Sequence, residues 1–193
     1  MTPNAKQNHF ASIRSREAFF GAPSGGGNTA ALVSAAIPGC ESGYYRAVIL
    51  CRDPRRLPQL QRHVASFLPP EASWIESSSG FAFPSGASIL LGSLEKTCSA
   101  KRYATQFHFI GFDRVLDFSE EQYLAMAPKA VSLGGERPAP ARVRSSGDPE
   151  GPHRSWVVRR LLSQDHVVAR PEDCGWFTPE DFEEFRRSPE LCW

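Results

Sequence analysis

Apolar positions along the chain fall into short blocks, separated by glycine, proline and charged residues, and the spacing inside each block predicts its element. Phe19-Phe20 is a brief buried strand that runs into a glycine-rich turn. Thr29 to Ile37 is a helix of small residues, stopped by Pro38-Gly39. Tyr45 to Cys51 is apolar almost throughout and predicts a strand covered on both faces. Leu60, Val64, Phe67 and Leu68 keep helical spacing after Pro58, a residue suited to a first turn. Trp74-Ile75, Phe81 to Phe83 and Ser88 to Leu91, with turns at Gly80 and Pro84-Ser85-Gly86, predict a small meander. Phe107 to Phe112 is another apolar strand and ends on Asp113. Ser119 with Gln122 is a capping-box pattern that opens a helix through Met126. Ser132 to Arg142 reads as a loop, Val143 to Ser146 as one more strand, and His153 to Leu162 as a helix. Met1 to Arg16 is polar and expected to be loosely ordered, and Glu180 to Arg187 is an acidic-then-basic helical tail. No internal repeat appears. Strands alternating with helices predict an α/β fold with a mainly parallel sheet.

Composition narrows this picture without changing it. At 193 residues, with 41% hydrophobic and 22% charged positions, the chain suits one globular core with a short tail. A net charge of +1 gives no global attraction to nucleic acid, so any DNA contact needs a local patch. The five cysteines are scattered and lack C-x-x-C spacing, which argues against a zinc site or disulfide framework and for a reducing compartment. No apolar run approaches membrane-spanning length, and the N-terminus lacks the apolar stretch of a signal peptide. The expectation is a cytoplasmic protein with no membrane contact.

Two signals carry chemistry. The segment from Ala22 to Thr29 has the layout of a phosphate-binding loop, G-x-x-x-x-G-K-[S/T], between a strand and a helix. Such glycines let backbone N–H groups close around phosphates; the lysine reaches the outer phosphates, and the hydroxyl holds Mg²⁺. Gly27 and Thr29 fit, but Ala22 stands for the first glycine and Asn28 for the lysine. The second signal is Asp113 at the end of a hydrophobic strand, where phosphate-loop ATPases place the carboxylate that supports Mg²⁺. A glutamate usually follows, and here Arg114 does. Each signal alone has an ordinary reading as a flexible turn or a strand end.

Together with their flanking blocks, they resemble the ATPase domain of tailed-phage terminase large subunits, the motors of viral DNA packaging. The matching runs are Phe19 to Gly27, Arg46 to Arg52, Gly80 to Ala87, Phe109 to Asp113, Phe118 to Tyr123 and Gly147 to His153, with Trp156-Val157. They keep family order from about residue 18 to 162. The resemblance implies a RecA-like phosphate-loop core, mainly parallel and flanked by helices, with the meander as a small insertion. It divides the chain into a flexible segment 1–16, an ATPase-like domain 17–162 and a tail 163–193 of the same domain.

The resemblance further implies ATP held by Gly25, Gly26, Gly27, Asn28 and Thr29, and Mg²⁺ held by Thr29 and Asp113. Asp113 and Arg114 stand at the catalytic positions, and Asp148 stands where an asparagine couples hydrolysis to DNA movement. Double-stranded DNA, a portal and a small terminase subunit are the implied partners, with other copies of the chain as a possible assembly.

Three departures fall on the chemistry. Without the lysine's charge-assisted bond, worth roughly 1.5–3 kcal/mol, triphosphate affinity is expected to fall at least about tenfold. Arg114 in place of a positioned carboxylate costs on the order of 10²–10⁴ in rate, unless Asp117 or Glu120 takes its role. The arginine-rich stretch after the Tyr123 helix reads Ala127-Pro128-Lys129-Ala130, and the family's nuclease domain has no room here. The expectation is therefore an impaired terminase-type ATPase. The alternatives are a pseudo-ATPase binding module and a non-functional prophage remnant. Arg52 stays open between a site residue and a solvated loop arginine, and Trp156 is read as core.

Overall fold

The structure is a computed structural model and describes residues 3–23, 25–103, 105–132, 139–148, 154–169 and 173. Ser24, the Pro149 to His153 block, the Glu180 to Arg187 helix and the cysteines at 174 and 192 lie outside the described residues. Among the described residues, one sheet of eight strands forms the frame, from β1 (Glu17–Gly21), β2 (Arg46–Cys51), β3 (Ser73–Ile75) and β4 (Gly80–Ala82) to β5 (Ser88–Ser93), β6 (Phe109–Phe112), β7 (Arg142–Gly147) and β8 (His166–Val168). Its order is β3-β4-β5-β2-β6-β7-β1-β8. All pairings from β5 to β8 are parallel, and only the β3–β4–β5 edge is antiparallel. The central strands β1, β2 and β6 are buried on both faces, as their apolar runs require, while the edge strands β3 and β8 are partly exposed.

On one face, α2 (Asn28–Ala36) and α3 (Leu57–Phe67) pack with Leu32, Val33, Leu60 and Val64 over Phe20, Ala47 and Ile49. On the other, α4 (Glu120–Met126) and α5 (Arg154–Arg160) cover Phe19, Val48, Leu50 and Phe112. Tyr123 packs against Phe112 at 4.7 Å and Trp156 at 5.2 Å between ring centroids. The Trp156 indole donates to the Phe118 carbonyl at 3.0 Å, so this tryptophan is core, as expected. The capping box at Ser119 and Gln122 forms as predicted.

The structure departs from the sequence reading in three places. Residues 5–12, expected to be loose, form helix α1 (Ala5–Ser12), because Asn4 and Gln7 make a reciprocal capping box. Phe10 supplies the single large apolar anchor and is fully buried, 5.5 Å from the Phe20 ring. One phenylalanine among polar neighbours gives no periodicity to read. The meander is no separate insertion: β5 pairs in parallel with β2, so the meander is the edge of the main sheet. Finally, His166 to Val168, inside the expected tail, pairs with β1 as an eighth strand.

Arg144 is the largest fully buried side chain. It donates to the carbonyls of Ile13, Ser15, Arg16 and Val143, at 2.6 to 3.3 Å, and sits over the Phe10 ring. Burial pulls its pKa down to about 10, and the carbonyl cage explains how a cation is accepted there. Arg144 thereby bolts the segment after α1 to β7. Among the described residues, no helix is long and apolar enough to cross a membrane.

Candidate functional site

In a parallel sheet, every strand delivers its C-terminal end to the same edge, and ligands of open α/β folds bind there. The loop after β1, Asp113 after β6, Asp148 after β7 and the turn after β2 meet along this edge. Strand β7 alone separates β1 from β6.

The glycine loop has the backbone its sequence demands. Gly25 and Gly27 take positive φ, 80° and 79°, a region that favours glycine. Gly26 is tight for a different reason: a Cβ there would stand 2.6 Å from the Ala22 methyl and 2.8 Å from the Pro23 carbonyl oxygen. Gly27 caps α2 with no side-chain bond, so the first N–H groups of the helix point out of it as a weakly positive end. Buried Gln7 of α1 donates to the Gly27 carbonyl at 3.2 Å, which ties the loop to the N-terminal helix.

Asn28 turns into the loop. Its amide donates to the Ala22 carbonyl at 2.9 Å and the Pro23 carbonyl at 3.4 Å, while its Oδ1 is buried without a hydrogen-bond partner. The residue that replaces lysine thus holds the loop closed on its own carbonyls. Thr29 Oγ1 donates to Asp113 Oδ1 at 2.9 Å across 84 residues of sequence. Sequence reasoning placed these two together, and the fold brings them into contact.

Asp113 is 2% exposed. Burial pushes its pKa up; Arg56, the Thr29 hydroxyl, Arg114 and His63 pull in the opposite direction. The next residue, Arg114, takes a left-handed conformation with φ 56°, and its side chain pairs with Asp117 at 3.2 Å. Gly147 lets β7 approach this turn: a Cβ there would meet Leu116 at 3.0 Å and the Val115 nitrogen at 3.4 Å. Asp148 therefore follows a residue packed directly on the Arg114 turn. The two carboxylates considered as substitutes for a glutamate are both engaged by arginines, Asp117 by Arg114 and Glu120 by Arg159. Lys129 has a structural task, donating to the carbonyls of Ala100 and Tyr103.

Arg56 was missed. Sequence reasoning weighed Arg52, but Arg56 is the arginine that turns inward after β2. Asp53 accepts from the Arg55 N–H at 2.9 Å and starts a short 3-10 turn, Pro54–Arg56. That turn holds Arg55 outward in an exposed pair with Asp53 and aims Arg56 at the site. Arg56 Nη2 lies 3.9 Å from Asp113 Oδ2, and Nη1 lies 3.9 Å from Asp117 Oδ2. Nη1 is buried and has no hydrogen-bond partner. The Asp-Pro pair directly after a buried strand was the available signal.

The arrangement suits a phosphate group. A glycine turn at positive φ, an uncapped helix end and an inward guanidinium all favour an anion. It does not suit Mg²⁺. Thr29 and Asp113 are the right donor chemistry. However, the free oxygen of Asp113 already faces Arg56, and two arginines on two aspartates leave the cluster neutral. Among the described residues, no three His, Cys, Asp or Glu side chains group as a metal site.

Comparison with known proteins gives the fold its relatives. No family model matches the chain, and no curated protein matches it. Among solved structures, the large terminase of a thermophilic bacteriophage superposes with a TM-score of 0.72 at 11% identity, covering 97% of this chain and 50% of that one. A complex of that terminase with ADP gives a TM-score of 0.70 at 12% identity, over 96% and 50% of the two chains. The large-terminase ATPase domain of Thermus phage P74-26 gives 0.64 at 10% identity, over 98% of this chain and 89% of that one. The chain spans about half the length of the full terminase and nearly all of the isolated ATPase domain. The fold is that of a large-terminase ATPase domain.

Proposed function

We propose that this chain is the nucleotide-binding motor domain of a terminase large subunit, serving viral DNA packaging, with impaired hydrolysis. The Thr29–Asp113 contact at 2.9 Å carries the reading, because it joins the glycine loop to the acidic strand end in one site. The ADP complex of the similar bacteriophage terminase supports a nucleotide as the ligand.

In this reading the turn at Gly25, Gly26 and Gly27 and the first turn of α2 hold the phosphates, and Thr29 keeps Asp113 oriented. Bound ATP supplies the free energy of its terminal phosphate bond. The chain's own residues then fall short in two places. Asn28 contributes a neutral amide, already turned to the Ala22 carbonyl, where a cation should meet the outer phosphates. Arg114 leaves no carboxylate beside Asp113 to orient an attacking water. Gly147, packed on the Arg114 turn, gives Asp148 a short mechanical route from the site to β7. Double-stranded DNA, a portal, a small terminase subunit and further copies of the chain are the partners this role implies.

Turnover assays test the assignment. The unmodified chain is expected to show no ATP hydrolysis above background, with or without DNA. Asn28→Lys combined with Arg114→Glu, assayed with Mg²⁺, is expected to produce measurable hydrolysis, since it supplies both missing groups and leaves the Asp113 cluster net negative, able to attract a divalent ion. Strong turnover in the unmodified chain, or none in the double variant, would contradict the reading.

A further inference from the structure

The position that lacks a lysine and suits no divalent ion has a cation of its own. Arg56 comes from a different strand end than the glycine loop, yet its guanidinium spans the site between Asp113 and Asp117. Both separations are 3.9 Å, too long for hydrogen bonds, so neither carboxylate takes up its donors directly. Nη1 is buried and has no hydrogen-bond partner among the described residues, while the side chain as a whole is 28% exposed. A buried guanidinium donor left unmatched is costly unless an acceptor arrives. The acceptor that matches its planar fork, beside an uncapped helix end and positive-φ glycines, is a phosphate oxygen.

We propose that Arg56 is the phosphate-binding cation of this site and stands in for both the loop lysine and a divalent ion, so that nucleotide binds without Mg²⁺. Three further observations agree. The turn capped by Asp53 fixes Arg56 inward before any ligand is present. Arg56 is the cation nearest the free oxygen of Asp113, which is where a metal would have to act. The aspartates and arginines of the cluster balance, so a dication gains little attraction there.

This inference rests on the nucleotide-site reading, and the test separates the two. ATP is titrated calorimetrically into the full chain, once with Mg²⁺ and once with EDTA. The expected result is the same affinity in both buffers. Arg56→Ala is expected to weaken binding at least about tenfold, the loss of a charge-assisted bond. Arg56→Lys, which keeps the charge without the fork, should recover part of that loss, and Arg55→Ala should bind as the parent does. Arg56→Gln preserves bulk should the alanine variant fail to fold. Binding that requires Mg²⁺, or that survives every Arg56 change, overturns this inference and leaves the nucleotide site standing. No binding in either buffer removes the nucleotide site, and this inference with it.

Discussion

Asp113 enters the protein with its charge only partly answered. Burial raises its pKa, and Arg56, Thr29, Arg114 and His63 offset that without cancelling it. An acid whose folded pKa exceeds its unfolded value binds its proton more tightly when folded. The burial is therefore least costly below the ordinary value of 3.8, and this group's contribution to stability falls as pH rises from there. Asp113→Asn removes that slope while keeping an oxygen for Thr29. The melting temperature of the variant minus that of the parent should grow as pH is raised from about 3 toward neutrality. A difference that stays flat across this range would show that Asp113 is not held at a desolvation cost. At this scale the sequence exposed Gly27, Thr29 and Asp113, because their residue types carry the motif. It also marked Asn28 and Arg114 as departures from that motif. Arg56 stayed hidden because two adjacent arginines look alike until the Pro54–Arg56 turn directs one inward.

Helix α1 shows how an element can be both decisive and hard to read. Its residues are polar, and its order comes from a capping box, one buried phenylalanine and the Gln7 bond to Gly27. Each of those is a tertiary or reciprocal contact that hydrophobic spacing does not reveal. The glycine loop consequently rests on a segment that the sequence reading expected to be loosely ordered. Phe10→Ala is expected to destabilise the protein by about 3–5 kcal/mol in urea unfolding, the cost of emptying a packed aromatic site. A loss under about 0.5 kcal/mol, the range of ordinary surface substitutions, would show that α1 does not dock on the sheet. Strands β2 and β6 were legible because they are buried on both faces and apolar, whereas β7 is buried but carries Arg144, Ser145 and Ser146. Strand β8 was not: it has three residues, and only Val167 is buried.

Across the whole molecule, alternation of strand and helix was enough for the α/β class, and the RecA-like arrangement came from the terminase resemblance that the glycine loop, Asp113 and their flanking blocks carry together. The superposition on large terminases at 10–12% identity shows a shared fold at low sequence identity. The meander was legible as three strands but not as part of the main sheet, since parallel pairing with β2 is a long-range choice. The central claim is that the strand ends of β1, β2 and β6 form one nucleotide site. Amide resonances of the labelled chain, followed during ATP titration, test it directly. The account predicts shifts concentrated at Gly25 to Thr29, at Arg56 and at Asp113 and Arg114, with the β3–β4 edge unmoved. Shifts confined to other surfaces, or none at saturating ATP, would contradict it.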